Sequence, residues 1–146
     1  MKKYEFTGET KRVELWNRTA TLHRIKATVE FGFVKVGELG GWIEKEENLS
    51  HEGKAWVWGN AKVCGDAEVF LASHVLVMGS VGSRNDFTTF FRDKDNEITV
   101  KCGCFLGKID KFLEKVTQTH GNNKYALVYR AAVEVAKLQI ELTERK

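Results

Sequence analysis

The residues best suited to chemistry in this sequence fall in one run, Ser83-Arg-Asn-Asp-Phe-Thr-Thr-Phe-Phe-Arg92. Arg84 and Arg92 carry forked donors that match the geometry of a phosphate or carboxylate, and Ser83, Asn85, Thr88 and Thr89 add hydroxyl and amide contacts. Phe87, Phe90 and Phe91 offer faces on which a base can stack. Together these residues suit capture of a small anionic ligand of the cyclic-nucleotide or ADP-ribose kind, with His23 and Arg24 on an upstream strand as further contributors. The plainer alternative is that the arginines pair with Asp86, Asp93 or Asp95.

A second candidate is His74, whose ordinary pKa suits a general base acting on an acyl acceptor. No catalytic partner for it is visible, so a surface histidine is the competing explanation. Cys102-Gly-Cys104, with Cys64 and His120 elsewhere, lacks the second close pair that a structural zinc site needs. On a strand, Cys102 and Cys104 share a face and serve as small apolar side chains. Neither a metal nor a cofactor is expected. Trp42, Trp56 and Trp58 fit either a protein-binding hot spot or burial between copies of the chain, and Trp56, Trp58, Phe70 and Leu76 form the expected oligomer interface.

The element that must position these groups is the stretch from Ala55 to Val81. Val57, Val63, Val69, Val75 and Val81 recur every sixth residue, each preceded two places earlier by Ala55, Ala61, Ala67, Ser73 or Gly79. Gly59-Asn60 and Gly65-Asp66 supply corners. This period predicts a short left-handed parallel β-helix of hexapeptide repeats, with the valines lining a three-sided prism and residues eighteen apart stacked. So short an array needs completion by its flanks and covering of its apolar outer positions. A three-sided prism suits a three-fold axis, hence a homotrimer.

The chain thus divides into an N-terminal β segment (1–34), the hexapeptide β-helix (35–86) and a β-hairpin with a two-helix cap (87–146). Tyr4 and Phe6, then Val13 and Leu15, alternate as two strands with a turn near Gly8, and Leu22 to Val29 continues as a strand. Phe87–Phe91 and Ile98–Cys104, separated by Asp93-Lys-Asp-Asn-Glu97, read as a hairpin. Ile109, Phe112, Leu113 and Val116 mark one amphipathic helix, stopped at Gly121. Leu127, Val128, Ala131, Val135, Leu138 and Leu142 mark a second, with that face expected to cover the prism.

The 146 residues suffice for one compact unit; 42% are hydrophobic and 29% charged. A formal charge of +3 permits an anionic ligand but falls short of the basic stripe of a nucleic-acid binder. No apolar run reaches membrane-spanning length, and the Met-Lys-Lys start leads into Tyr-Glu-Phe rather than a secretory segment. Three cysteines without such a segment point to reduced thiols in a cytoplasm.

Several blocks carry a resemblance: Tyr4-Glu-Phe-Thr-Gly-Glu-Thr10, Leu22-His-Arg-Ile25, Leu39-Gly-Gly-Trp-Ile-Glu-Lys-Glu-Glu-Asn-Leu-Ser50, Ser83-Arg-Asn-Asp86, Thr88-Thr-Phe-Phe-Arg92, Cys102-Gly-Cys-Phe105 and Thr119-His-Gly121. Together they resemble a family of small phage and prophage proteins with a left-handed hexapeptide β-helix, described as hypothetical or transferase-like. The resemblance implies a non-enzymatic protein of the host bacterial cytoplasm. It would inhibit a host defence factor by binding it or by sequestering an anionic nucleotide-like signal. A small hexapeptide-repeat acyltransferase using His74 is the alternative.

Overall fold

The computed structural model describes residues 2–82 and 85–142. The chain is mainly β, with two helices at its C-terminal end. It opens with a long hairpin of β1 (Tyr4–Glu14) and β2 (Thr19–Ala27), paired from Tyr4↔Ala27 to Glu14↔Thr19. The turn expected near Gly8 is instead a bulge within one strand. Gly8 takes φ +96° and breaks the register between Phe6 and Thr10, while the true reversal lies at residues 15–18. β3 (Leu39–Ile43) joins β2 antiparallel, and β4 (Lys62–Val63) joins β3 in parallel, completing the first sheet.

The second sheet is a meander of β5 (Val75–Val81), β6 (Asp86–Arg92), β7 (Ile98–Cys102) and β8 (Phe105–Lys108), every neighbour antiparallel. The hairpin expected around residues 93–97 is therefore present, as β6–β7. Two helices follow, α1 (Ile109–His120), ended by Gly121, and α2 (Lys124–Gln139), whose Asn123 side chain caps the first turn by accepting from Ala126 N–H.

The hexapeptide β-helix is not formed. Among the described residues, parallel pairing is confined to Trp42↔Lys62, Ile43↔Val63 and a bridge from Leu49 to Val69, all twenty rather than eighteen positions apart. Val75–Val81 leaves that arrangement and pairs antiparallel with β6. Six is a multiple of two as well as the length of a prism face. Evenly spaced valines therefore also fit plain strands, where alternate side chains share a face. Val57, Val63 and Val69 do point into one core, but no prism encloses them. The three-fold assembly rested on that prism and loses its support with it.

The layers are sheet, sheet, helices. One apolar cluster joins Tyr4, Ile25, Ile43, Leu49, Val57, Val63 and Val69 of the N-terminal part to Phe91, with Val75 and Val77 packed against it. Phe90, Val100, Leu76 and Met78 go to the opposite side of the second sheet and meet Phe112, Val116, Tyr129 and Val133 of the helices. A third cluster, Val13, Leu15, Leu22, Trp42 and Cys64, touches Leu106, which also reaches the first. The second sheet is thus apolar on both faces, consistent with its middle position.

The face of α2 also differs from expectation. The buried residues are Ala126, Tyr129, Ala132, Val133, Ala136 and Ile140, whereas Leu127, Val135, Leu138 and Leu142 are exposed. Both sides of this helix are apolar. The small alanines, which hydrophobicity ranks low, let it sit close to the sheet. Among the described residues, no helix is long and apolar enough to cross a membrane.

Candidate functional site

The structure separates most of the residues that the sequence grouped. Ser83 and Arg84 lie outside the described residues. Asn85 is an exposed turn residue with φ +51°. Arg92 is 3% exposed and fully engaged. Its Nε donates to Asn96 Oδ1 at 2.9 Å, and its Nη1 donates to the Glu68 carbonyl and carboxylate at 2.8 and 3.2 Å. Its guanidinium also lies over the Phe70 ring. Arg92 ties the β6–β7 corner to the loop before β5 and has no free face for a ligand. Thr88 and Thr89 point to opposite sides of β6: the Thr88 hydroxyl donates to Cys102 Sγ on the helix side, and the Thr89 hydroxyl oxygen accepts the Lys62 N–H at 3.1 Å. His23 stacks on Phe6, away from Arg24.

His74 is 0% exposed. Its Nδ1 accepts the backbone N–H groups of Phe70 and Leu71 at 3.2 and 3.1 Å, and Phe70 meets its ring edge-on. Desolvation, followed by the nearby Arg92 cation, pulls its pKa down to about 4, against a small opposing effect of the Glu141 backbone. Nε2 has no hydrogen-bond partner of normal geometry. No acceptor substrate can reach this ring.

Of the residues expected at an oligomer interface, Trp56 is buried among Tyr4 and Phe31, and Leu76 packs beneath the helices. Phe70 covers Arg92. Trp58 alone is exposed, beside a cavity of about 320 Å³ shared with Phe33 and Val34. Cys64 is buried, its thiol pushed up to about 11 by desolvation. Cys102 is half-buried and Cys104 exposed. Among the described residues, no three groups gather as metal ligands.

What the strands do bring together is a set of cations. Arg24 pairs with Trp42 and Trp42 with Lys62, while Lys11 pairs with Leu22, two places before Arg24. Strand alternation therefore puts Lys11, Arg24, Trp42 and Lys62 on one face of the first sheet. Lys11 Nζ lies 4.5 Å from the centre of a Trp42 ring, and the Arg24 guanidinium lies 5.7 Å away. Across the corner, Lys101 pairs with Thr89, so both extend from the second sheet on the side facing Lys62.

Lys101 is 5% exposed and its ammonium donates to the Gly103 carbonyl. Burial, followed by the Lys62 charge, lowers its pKa. Burial and then Lys62 also lower that of Lys11, with Arg24 adding a smaller share. Glu9, 3.5 Å from Arg24 Nη1, and Asp86 act in the opposite sense. Two carboxylates face four cations. No local pattern announces this corner, because its residues come from six strands and meet only through pairing.

A cavity of about 620 Å³ adjoins it, lined by Trp16, Cys104, Phe105, Leu106, Lys111 and Lys115 among others. The Trp16 backbone N–H donates to the Cys104 carbonyl at 3.0 Å and its indole N–H to the Leu106 carbonyl at 3.4 Å. These bonds fix the ring while leaving the residue 69% exposed. Gly103 accepts the Lys101 bond, and its neighbour Cys104 walls the cavity.

Comparison with models of known protein families and with curated proteins finds no match to this chain.

Proposed function

We propose that this protein is a non-enzymatic binding protein that captures an anionic, nucleotide-like ligand in the corner between its two sheets. The observation that carries the reading is Lys101, a buried ammonium bonded to a carbonyl, whose strongest charged influence is another lysine. Burying a cation without a counter-charge is unfavourable, and adding a like charge compounds it. A phosphate seated among Lys11, Arg24, Lys62 and Lys101 offsets both with charge-assisted hydrogen bonds. The adjoining Trp16 and Phe105 give a flat ring somewhere to pack. Capture of such a ligand would serve to sequester a signal on which a host factor depends. Nothing favours acyl transfer, since His74 is enclosed.

Titration calorimetry with cyclic nucleotides and ADP-ribose tests the proposal. Each lost charge-assisted contact removes roughly 1.5–3 kcal/mol, so Lys62→Ala and Lys101→Met should each weaken binding by about tenfold or more. Added salt should weaken it further. Absence of heat for every probe, or affinity unchanged in both variants, would refute it.

A further inference from the structure

We infer that the cavity walled by Phe33, Trp56 and Trp58 is a binding site for a small aromatic carboxylate. Its volume of about 320 Å³ stands at the lower end of the range that small-molecule sites occupy, which suits a single flat ring system with a short arm. Two connections build it. Between β2 and β3, Phe31 and Val34 exchange backbone hydrogen bonds of 3.1 and 2.8 Å around Gly32, which takes φ +51°. That tight reversal buries Val34 and leaves Phe33, 92% exposed, standing at the cavity wall. In the run before β4, Lys54, Trp56 and Trp58 occupy alternate positions and all reach the same cavity. Trp56 is buried, and Tyr4 and Phe31 fix its ring with edge-on contacts at 6.5 and 5.3 Å. Its indole N–H is buried as well and has no hydrogen-bond partner among the described residues. A buried donor without an acceptor is costly, and an oxygen supplied by a ligand removes that cost.

Charge decides which ligand fits. Aromatic walls alone would suit a quaternary ammonium equally well. Of the residues lining the cavity, however, Lys54 is the charged one, and it makes no ion pair among the described residues. Its stem runs beside Gly32, with Cβ, Cγ and Cδ 3.8–3.9 Å from where a β-carbon on that glycine would lie. A second cation stands behind it: Lys3 Nζ donates to the Gly53 and Ala55 carbonyls at 3.5 and 2.6 Å, on either side of Lys54. Glu30 on the neighbouring loop is already engaged by Lys35 at 3.0 Å. A cationic ligand is therefore repelled and a carboxylate drawn in. Its ring packs against Phe33 and Trp58, and its oxygens take hydrogen bonds from Lys54 and the Trp56 N–H. The site is separate from the cationic corner. Trp56 packs with Ile25 and Ile43, on the face of the first sheet opposite Arg24 and Trp42.

Proton–nitrogen correlation spectra of the full chain test this, because its four indole N–H groups report separately. The probes are indole-3-acetate, its neutral amide indole-3-acetamide, and tetramethylammonium. Indole-3-acetate should shift the Trp56 and Trp58 signals, with Trp56 moving downfield as its N–H gains an acceptor, and leave Trp16 and Trp42 in place. The amide should bind about tenfold more weakly, the loss expected when a charge-assisted hydrogen bond becomes a neutral one. Lys54→Met should bring the acid down to the level of the amide and leave the amide unchanged. Trp58→Ala should weaken both alike. Lys54 and Trp58 are exposed, so neither substitution disturbs the core. Lys62→Ala and Lys101→Met, which test the cationic corner, should have no effect here. The inference is overturned if no probe moves the Trp56 signal, if acid and amide bind equally, or if Lys54→Met leaves the acid unaffected. Preference for tetramethylammonium, or loss of the acid in the corner variants, would overturn it as well.

Discussion

Acidification should destabilise this protein through one enclosed ring. His74 Nδ1 accepts two backbone N–H groups, so that nitrogen must remain unprotonated for both bonds to persist. Protonation would turn the acceptor into a third donor facing two others, beside the Arg92 guanidinium. Desolvation, followed by the Arg92 cation, sets the folded pKa at about 4, against 6.5 for an unencumbered imidazole. Because the folded value lies below the unfolded one, the unfolded chain binds the extra proton throughout the interval between them, and stability falls as pH drops through it. A difference of about 2.5 units at 1.36 kcal/mol each corresponds to about 3 kcal/mol by the lower end. That is a large fraction of the margin on which a domain of this size stands.

The measurement is urea denaturation from near neutrality down to about pH 4, comparing the wild type with His74→Asn. Asparagine Oδ1 falls near the position of Nδ1 and accepts without titrating. The variant should be less stable at neutral pH, having lost ring packing against Phe70, but the gap should narrow by about 3 kcal/mol on acidification. Other groups whose pKa is lowered, among them Glu44 through its Arg18 hydrogen bond and the half-buried His51, are present in both proteins and cancel in the difference. Stability curves that fall in parallel would refute the argument.

Two further outcomes follow from packing. Asp93 is buried and accepts from the Thr99 hydroxyl at 2.6 Å and Lys108 Nζ at 2.8 Å, as well as from the Asp95 and Glu97 N–H groups. Asp93→Ala removes a buried carboxylate that accepts four hydrogen bonds, while Lys108 keeps Asp95 and Glu97, and should lower the unfolding free energy by roughly 1.5–3 kcal/mol, read from the urea midpoint. In the native protein a thiol reagent should label Cys104 quickly and leave Cys64 unmodified until denaturant is added, because the Cys64 thiol is both enclosed and pushed up to about 11. Mass spectrometry of timed samples distinguishes the two.

Local signals were readable and long-range ones were not. The β6–β7 hairpin and both helices were evident because their patterns complete themselves within a few residues: alternation around a polar turn, and a stripe ended by Gly121. The valine array misled because its period suits a plain strand as well as a prism face, and only pairing partners decide between them. Arg92 has the side chain of a ligand-binding residue, yet Glu68 and Asn96 claim its donors. Of the residues singled out beforehand, Arg24, Trp42 and Thr89 belong to the cationic corner. Lys11, Lys62 and Lys101 were invisible as a group, since sheet register unites them and linear spacing does not. On α2 the face marked by leucines was expected to cover the core and is instead exposed, because the alanines that pack tightly on the sheet score as weakly apolar.

The bulge at Gly8 has a consequence for how copies of this chain accumulate. β1 is the outer strand of its sheet, paired with β2 on one side only, and the open edge of its eleven residues forms a template on which a neighbour could lay a strand, and then another without end. The kink interrupts that template near its middle, and Glu5, Glu9, Lys11, Arg12 and Glu14 stud what remains with charge. Filament growth along this border is thereby discouraged.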